Sequence, residues 1–345
     1  MRSWLLPLSE KKLVPNLENA PLEERGVMLR RRRRRIPVVL AVVGAVSVVF
    51  GAIWMTVIFP EISKVPSDLA TSTTQAGTVT VLDSETMQPV TYNVIGTRAY
   101  ETMCCSGDVL YVKEVCTFVD ADTGVPLPEE TGSTILLAVD RVSRENVAGH
   151  GDKNREGCWS FPHDVKAGQD YPYWITGNPT VLDARYVGEE DFEGLSVLVY
   201  EIATPEEGIT VPAGLFTPEQ TLHQWIRMLV EPVSGTPVYM ESTNKRTTMV
   251  PVTDELFPNT GPMTFAEVTV YEDDLVFTEA TKEQLLHDAR YYHWALPWGS
   301  HHLQWTSIGL GVALVVVGFV LLTREEPIEL PVPEPVEDEV ASQTR

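Results

Sequence analysis

Acidic and sulfur-bearing side chains bring this sequence nearest to chemistry. Asp120, Asp122, Glu129 and Glu130 gather around one turn and offer oxygen ligands to a hard cation such as calcium. They lack the ligand spacing of a helix-loop-helix calcium loop, so they read as solvated turn acids. His150 with Asp152, and His301 with His302, offer imidazole to a transition metal. Such a site needs three or four converging ligands, and no repeated histidine spacing supplies them. GxSxG, P-loop, HExxH and dinucleotide fingerprints do not occur. The expectation is a protein that is not an enzyme and has no catalytic, cofactor-binding or metal-ligating residues. The remaining reactive groups are Cys104, Cys105, Cys116 and Cys158, none with the CxxC spacing of a redox or zinc site. An even number of cysteines outside the cytoplasm predicts disulfides. Because neighbouring cysteines seldom bond to each other, one of Cys104 and Cys105 is expected to pair with Cys116 and the other with Cys158.

That pairing presupposes an oxidising compartment, and the elements around the cysteines supply the argument for one. Arg30 to Arg35 are six consecutive arginines, followed by Ile36 to Phe59 without a charged side chain. As a helix these 24 residues would rise about 36 Å, enough for a hydrocarbon core of about 30 Å. Arginine clusters stay cytoplasmic, so the chain after Pro60 is expected to lie outside. The apolar run is too long for a signal peptide and has no small-residue cleavage site after it. A second charge-free run, Trp305 to Thr323, follows Trp294 and Trp298 and ends the domain. Small residues at four-residue spacing, Ala41 with Ala45, Ser47 with Gly51, and Gly309 with Ala313, suit close packing of the two spans. The organisation read from this is a basic cytoplasmic tail (1–35), a transmembrane helix (36–59), an extracytoplasmic domain (60–302), a second transmembrane helix (303–323) and an acidic, proline-rich cytoplasmic tail (324–345). Both termini are then cytoplasmic, in the cell membrane.

Charge follows the same division. The net charge is −22; the first 35 residues carry +6 and the last 22 carry −5, which leaves −23 for the middle. Such a surface repels nucleic acid. Membrane lipids are the expected partners of the arginine cluster and the spans, with envelope proteins or lipids as partners of the domain.

Between the anchors the pattern is that of strands. Thr78 to Leu82, Val90 to Ile95, Val109 to Val119, Thr134 to Val142, Val181 to Val187, Leu195 to Ala203, Trp225 to Val230, Pro237 to Glu241 and Thr264 to Tyr271 are short, β-branched and bounded by turn residues. The opening, Thr71 to Thr80, reads as polar and turn-rich. One helix is predicted near the end, with a capping box at Thr281 to Gln284 and a stop at Pro297. The fold class is a mainly antiparallel β domain with one C-terminal helix, flanked by two transmembrane helices.

Phe161-Pro162, Tyr171-Pro172-Tyr173-Trp174, Gly194-Leu195, Glu231-Pro232 with Gly235, and Tyr291-Tyr292 occur in this order. In these motifs the chain resembles the porin PorA family, two-span bacterial envelope proteins of unknown function. His163, Ile175 and Leu229 depart from the family pattern. The resemblance implies a channel by name only, since acidic loops break the candidate strands too often for a lipid-facing barrel. Read as residues, Tyr171 to Trp174 are expected in the core and Glu231 to Gly235 in a turn. The function expected is binding or envelope organisation; the rival is a lipid-binding or lipid-transfer receptor with an apolar tunnel, as in class B scavenger receptors, which share the topology.

Overall fold

The computed structural model describes residues 22–83, 86, 88–127, 131–214, 218–252 and 264–324. They form two compact units, one from the helices through Trp54 and from Leu303 onward, the other from Met55 to His302. In the first unit, α1 (Leu22–Ile53) packs on α4 (Leu303–Thr323) backbone to backbone. A methyl on Gly44 would stand 2.5 Å from the Gly311 carbonyl oxygen, and one on Gly318 would stand 2.7 Å from that of Pro37. Small residues therefore set the approach, as their spacing predicts for Ala41 and Gly51, and Gly311 and Gly318 join them. Gly309 faces open space instead. Both helices are long and apolar enough to cross a membrane.

The second unit begins with a π turn (Trp54–Ile58 overlaps the join) and α2 (Phe59–Ile62), and then enters a sheet of eleven strands. These are β1 (Ala70–Leu82), β2 (Pro89–Ser106), β3 (Val109–Asp120), β4 (Ser133–Asp140), β5 (Tyr171–Tyr173), β6 (Leu182–Phe192), β7 (Leu195–Ala203), β8 (Ile209–Val211), β9 (Gln220–Val230), β10 (Pro237–Val252) and β11 (Thr264–Phe277). All pairings between them are antiparallel, in the order β4-β3-β2-β1-β11-β10-β9-β7-β6-β5, with β8 on β9.

The two ends of this order are joined by single extended residues. Asn146 bridges Val139 of β4, Glu145 bridges Cys158, and Cys158 bridges Tyr173 of β5. Backbone hydrogen bonds of 2.7 to 2.9 Å run through every step, for example Val147 to Ala138, Trp159 to Arg144 and Trp174 to Cys158. The sheet therefore closes on itself as a ring with no free long edge at β4 or β5, which removes a site for unwanted strand pairing.

Where strand signals were weak, the ring explains why. Thr71 to Thr80 lies not in turns but in β1, which is paired with β2 along its length and with β11 from Gln75 to Val81. Its threonines are β-branched, and Thr74 accepts and donates at the start of α3, with its N–H 2.9 Å from Thr281 Oγ1. β10 and β11 likewise run well past their apolar ends through polar residues. Helix α3 (Glu279–Pro297) is capped by Thr278, three residues before the expected cap; the Thr278 hydroxyl accepts the Thr281 N–H. Pro297 does not stop the helical path. It lacks an N–H, and the chain passes into a π turn (Trp298–His302), whose wider spacing accommodates the missing bond. Leu286 and Ala289 of α3 bury against Leu195, Val197, Val199, Leu229 and Val238 on the outside of the ring.

Candidate functional site

In an antiparallel ladder, residues directly opposite each other point to the same face. On the inner face, Arg98 of β2 opposes Cys116 of β3, and Tyr100 opposes Glu114. Asp273 of β11 opposes Asn244 of β10, which opposes Gln224 of β9; Tyr271 opposes Arg246. The same face carries the buried Val79, Val94 and Leu110. A polar belt thus crosses an otherwise apolar interior.

The belt is wired by side chains. Asn178 Nδ2 donates to Gln224 Oε1 at 2.9 Å, Gln224 Nε2 donates to Asn244 Oδ1, and Asn244 Nδ2 donates to Asp273 Oδ1 at 2.7 Å. Thr176 donates to Glu114 Oε1 at 2.8 Å, and Arg98 Nε stands 3.6 Å from the same oxygen. The segment Thr176–Asn178 therefore ties β5 to β3 and β9 across the interior, and Gly177 lends its carbonyl to Arg246.

Burial sets the electrostatics. It pushes the phenols of Tyr100, Tyr173 and Tyr271 well above the usual tyrosine range. Burial also raises the Asp273 carboxyl, although Asn244, Tyr271 and the two arginines oppose it. For Arg98, burial works to lower the pKa and is outweighed by Tyr100, Glu114 and Cys116, so the guanidinium stays charged. Arg98 still keeps 28% of its side chain accessible. Arg98 stands on the face of β2 that points into the ring, so the packing of the interior does not cover it completely. Several buried polar atoms of this interior make no hydrogen bond to protein: Arg98 Nε, which has only the longer ion pair with Glu114, Arg246 Nε, Gln75 Nε2 and Asn178 Oδ1. Such atoms call for a water or a ligand.

The expected disulfides are absent, and all four cysteines are free thiols. The β2–β3 register gives the reason. Cys105 opposes Leu110 and Cys104 opposes Tyr111, whereas Cys116 lies six residues along β3 from Leu110, about 20 Å away at about 3.3 Å per residue. A disulfide needs Cα atoms within about 7 Å. Cys158 is buried at the seam among Phe161, Tyr171 and Tyr200, while Cys104 and Cys105 are exposed. Burial raises the thiols of Cys116 and Cys158, the latter to about 11.

The motif residues divide. Phe161 and Tyr171 are core, with ring centroids 5.7 Å apart and Tyr200 4.7 Å from Phe161. Tyr173 is half-buried and Pro172 is exposed. Trp174 is not in the core as expected: it is half-buried beneath the Arg155 guanidinium, 5.6 Å away, because the seam ends there. Glu231, fully buried, accepts the Val233 and Ser234 N–H groups and faces His293 Nδ1 of α3 at 2.7 Å. Pro232 offers its carbonyl to the Val165 N–H. Gly235 has φ +71° and lies against Pro162 and Phe161. The separate motifs thus meet at one node, clamped by Arg144, which donates 2.8 Å bonds to the Phe161 and Ser234 carbonyls.

The remaining candidates lie on the surface. Asp120 accepts the N–H groups of Asp122 and Thr123 at 2.8 Å, and Asp122 accepts from Asn93. Glu129 and Glu130 lie outside the described residues. His150 pairs with the Tyr111 hydroxyl, Asp152 with Arg155, and His301 with Ser300. Among the described residues no His, Cys, Asp or Glu cluster of three or more could hold a metal. Sequence reasoning missed Arg98, Glu114, Gln224, Asn244, Arg246 and Asp273. A signal existed: Leu222, Gln224, Ile226 and Met228 fall on one face of β9, and the glutamine interrupts an apolar series.

None of the curated proteins compared matches this chain. The family model of Porin PorA matches residues 36–320, from the first apolar helix through the second, and the chain belongs to that family.

Proposed function

We propose that this chain is a two-pass membrane protein with both termini cytoplasmic, presenting the closed sheet outside as a non-catalytic binding domain for a small polar ligand. The observation that carries the reading is Arg98, enclosed by the ring yet partly accessible, beside donors and an acceptor that no protein group satisfies. Two carboxyl groups, Glu114 and Asp273, and two guanidinium groups inside the ring favour a polar ligand over a continuous apolar tunnel.

The outer face argues against a lipid-embedded barrel. Glu241 and Arg227 oppose each other there, as do Lys245 and Glu272. A lysine or arginine facing the middle of a bilayer costs about 2–4 kcal/mol, so this face suits water and leaves membrane crossing to the helices. Catalysis is disfavoured because the inward thiols, Cys116 and Cys158, are both held protonated by burial, the reverse of an activated nucleophile. The negative charge of the domain disfavours nucleic acid, and envelope components are the partners this reading allows.

Cys116 itself reports on the interior. In full-length protein with Cys104→Ser, Cys105→Ser and Cys158→Ala, a small neutral thiosulfonate should modify Cys116 while a bulky maleimide does not. Native mass spectrometry of the wild type should show a small retained mass that Arg98→Met loses. Resistance of Cys116 to the small reagent, with no retained mass, would refute the reading.

A further inference from the structure

On its β2 side the β2–β3 hairpin extends beyond the start of β1. β1 begins at Ala70, opposite Glu101, and the last bond on that side is from the Thr102 N–H to the Leu69 carbonyl at 2.8 Å. Past this point β2 pairs only with β3, after a bulge between Thr102 and Cys104. Met103 to Asp108 are all exposed, and Met103 keeps 58% of its surface. Within this open edge stand Cys104 and Cys105, both free.

We propose that this edge is an interface for a second copy of the chain, and that Cys104 and Cys105 link the two copies through disulfides. An exposed strand edge is a template for another strand, and two identical edges pair antiparallel around a two-fold axis. Directly opposed residues in such a pair have Cα atoms about 4.5 or 5.5 Å apart, inside the range a disulfide needs. Within one chain the partner is missing: Cys116 lies far along the hairpin and Cys158 is buried. A second copy brings thiols to thiols.

The tip is also placed to meet its equivalent. Asp108 at its end binds Lys64 Nζ at 2.8 Å, and Lys64 lies two residues beyond α2. Only a short stretch of chain separates it from the first apolar helix. Copies anchored in one membrane are confined to a plane, which raises their effective concentration.

Each disulfide forms as two thiols release two protons and two electrons. A thiol–disulfide oxidant takes them up, its own disulfide becoming a dithiol. The step rests on the proposed topology, which puts the tip outside the cytoplasm.

The test uses full-length protein in intact cells, quenched with N-ethylmaleimide before lysis and run on non-reducing gels. A band of twice the monomer mass is expected, collapsing with reductant. It should vanish in Cys104→Ser/Cys105→Ser and persist in Cys116→Ser/Cys158→Ala. A wild-type monomer, or a dimer that survives the first double substitution, overturns the proposal. After mild reduction, an impermeant maleimide added to whole cells tells the two readings apart. Labelling of Cys104 and Cys105 in a monomeric wild type refutes the dimer and keeps the topology; no labelling refutes both.

Discussion

Gly235→Ala tests the node where the family motifs meet. Gly235 has φ +71°, and an added methyl would lie 2.1 Å from the Pro162 carbonyl oxygen and 2.6 Å from that of Phe161. Two costs follow. A left-handed backbone costs an L-residue about 1–2 kcal/mol. The methyl also forces the Phe161–Pro162 segment back by about 1 Å, judged against ordinary van der Waals contact. That retreat strains the Arg144 bond to the Phe161 carbonyl, a charged hydrogen bond of the kind that contributes about 1.5–3 kcal/mol. Together the loss is about 3–5 kcal/mol, a large part of the usual margin of about 5–15 kcal/mol. Gly168→Ala is the control. Gly168 has φ +77° but nothing within 4 Å of the added methyl, so only the backbone cost applies. Differential scanning fluorimetry of the full-length protein in detergent reads both variants. At about 2–4 °C per kcal/mol for a domain this size, Gly235→Ala should lower Tm by about 6–20 °C and Gly168→Ala by about 2–8 °C. Equal shifts would show that the close approach to Phe161 and Pro162 is not what requires glycine.

Three further outcomes are expected. Glu231→Ala leaves the Val233 and Ser234 N–H groups unsatisfied in a buried turn and should cost about 2–5 kcal/mol, read as a lower Tm and as faster protease cleavage between β9 and β10. His163 is held below the ordinary imidazole range by burial and then by the Arg144 charge, with its Nε2 2.8 Å from the Ser63 carbonyl and its Nδ1 3.2 Å from Arg144 Nη2. The unfolded chain therefore takes up this proton at a higher pH than the folded one, so stability should fall as pH drops from about 7 to about 5. His163→Asn should flatten that fall in pH-dependent melting, and an unchanged slope would remove His163 as its source. Tags at both ends should survive protease added to intact cells, since the arginine cluster orients the chain; loss of either tag would reverse the topology.

Glu231, Gly235 and Phe161 are visible in the sequence as separate motifs, because each is a turn or aromatic residue with a local signature. Their meeting at Arg144 is not, since that arginine precedes Phe161 by seventeen positions and looks like any surface base. The cysteines show the opposite failure. Their number and setting argue for disulfides, and only strand register reveals that Cys105 and Cys116 sit at different levels of one hairpin.

By itself the sequence determined the two apolar helices, the strand-rich domain between them and the late helix, because these depend on local runs and periods within one segment. It also determined the acidic balance of the region between the two apolar helices. Tertiary structure decided the rest. Ring closure runs through Glu145, Asn146 and Cys158, single residues too few to leave a period. The polar belt of Arg98, Glu114, Gln224 and Asp273 uses one or two positions on each of several strands, so no single strand betrays it. Only closing the sheet brings those positions into one interior, where burial makes each unpaired polar atom costly enough to call for a water or a ligand.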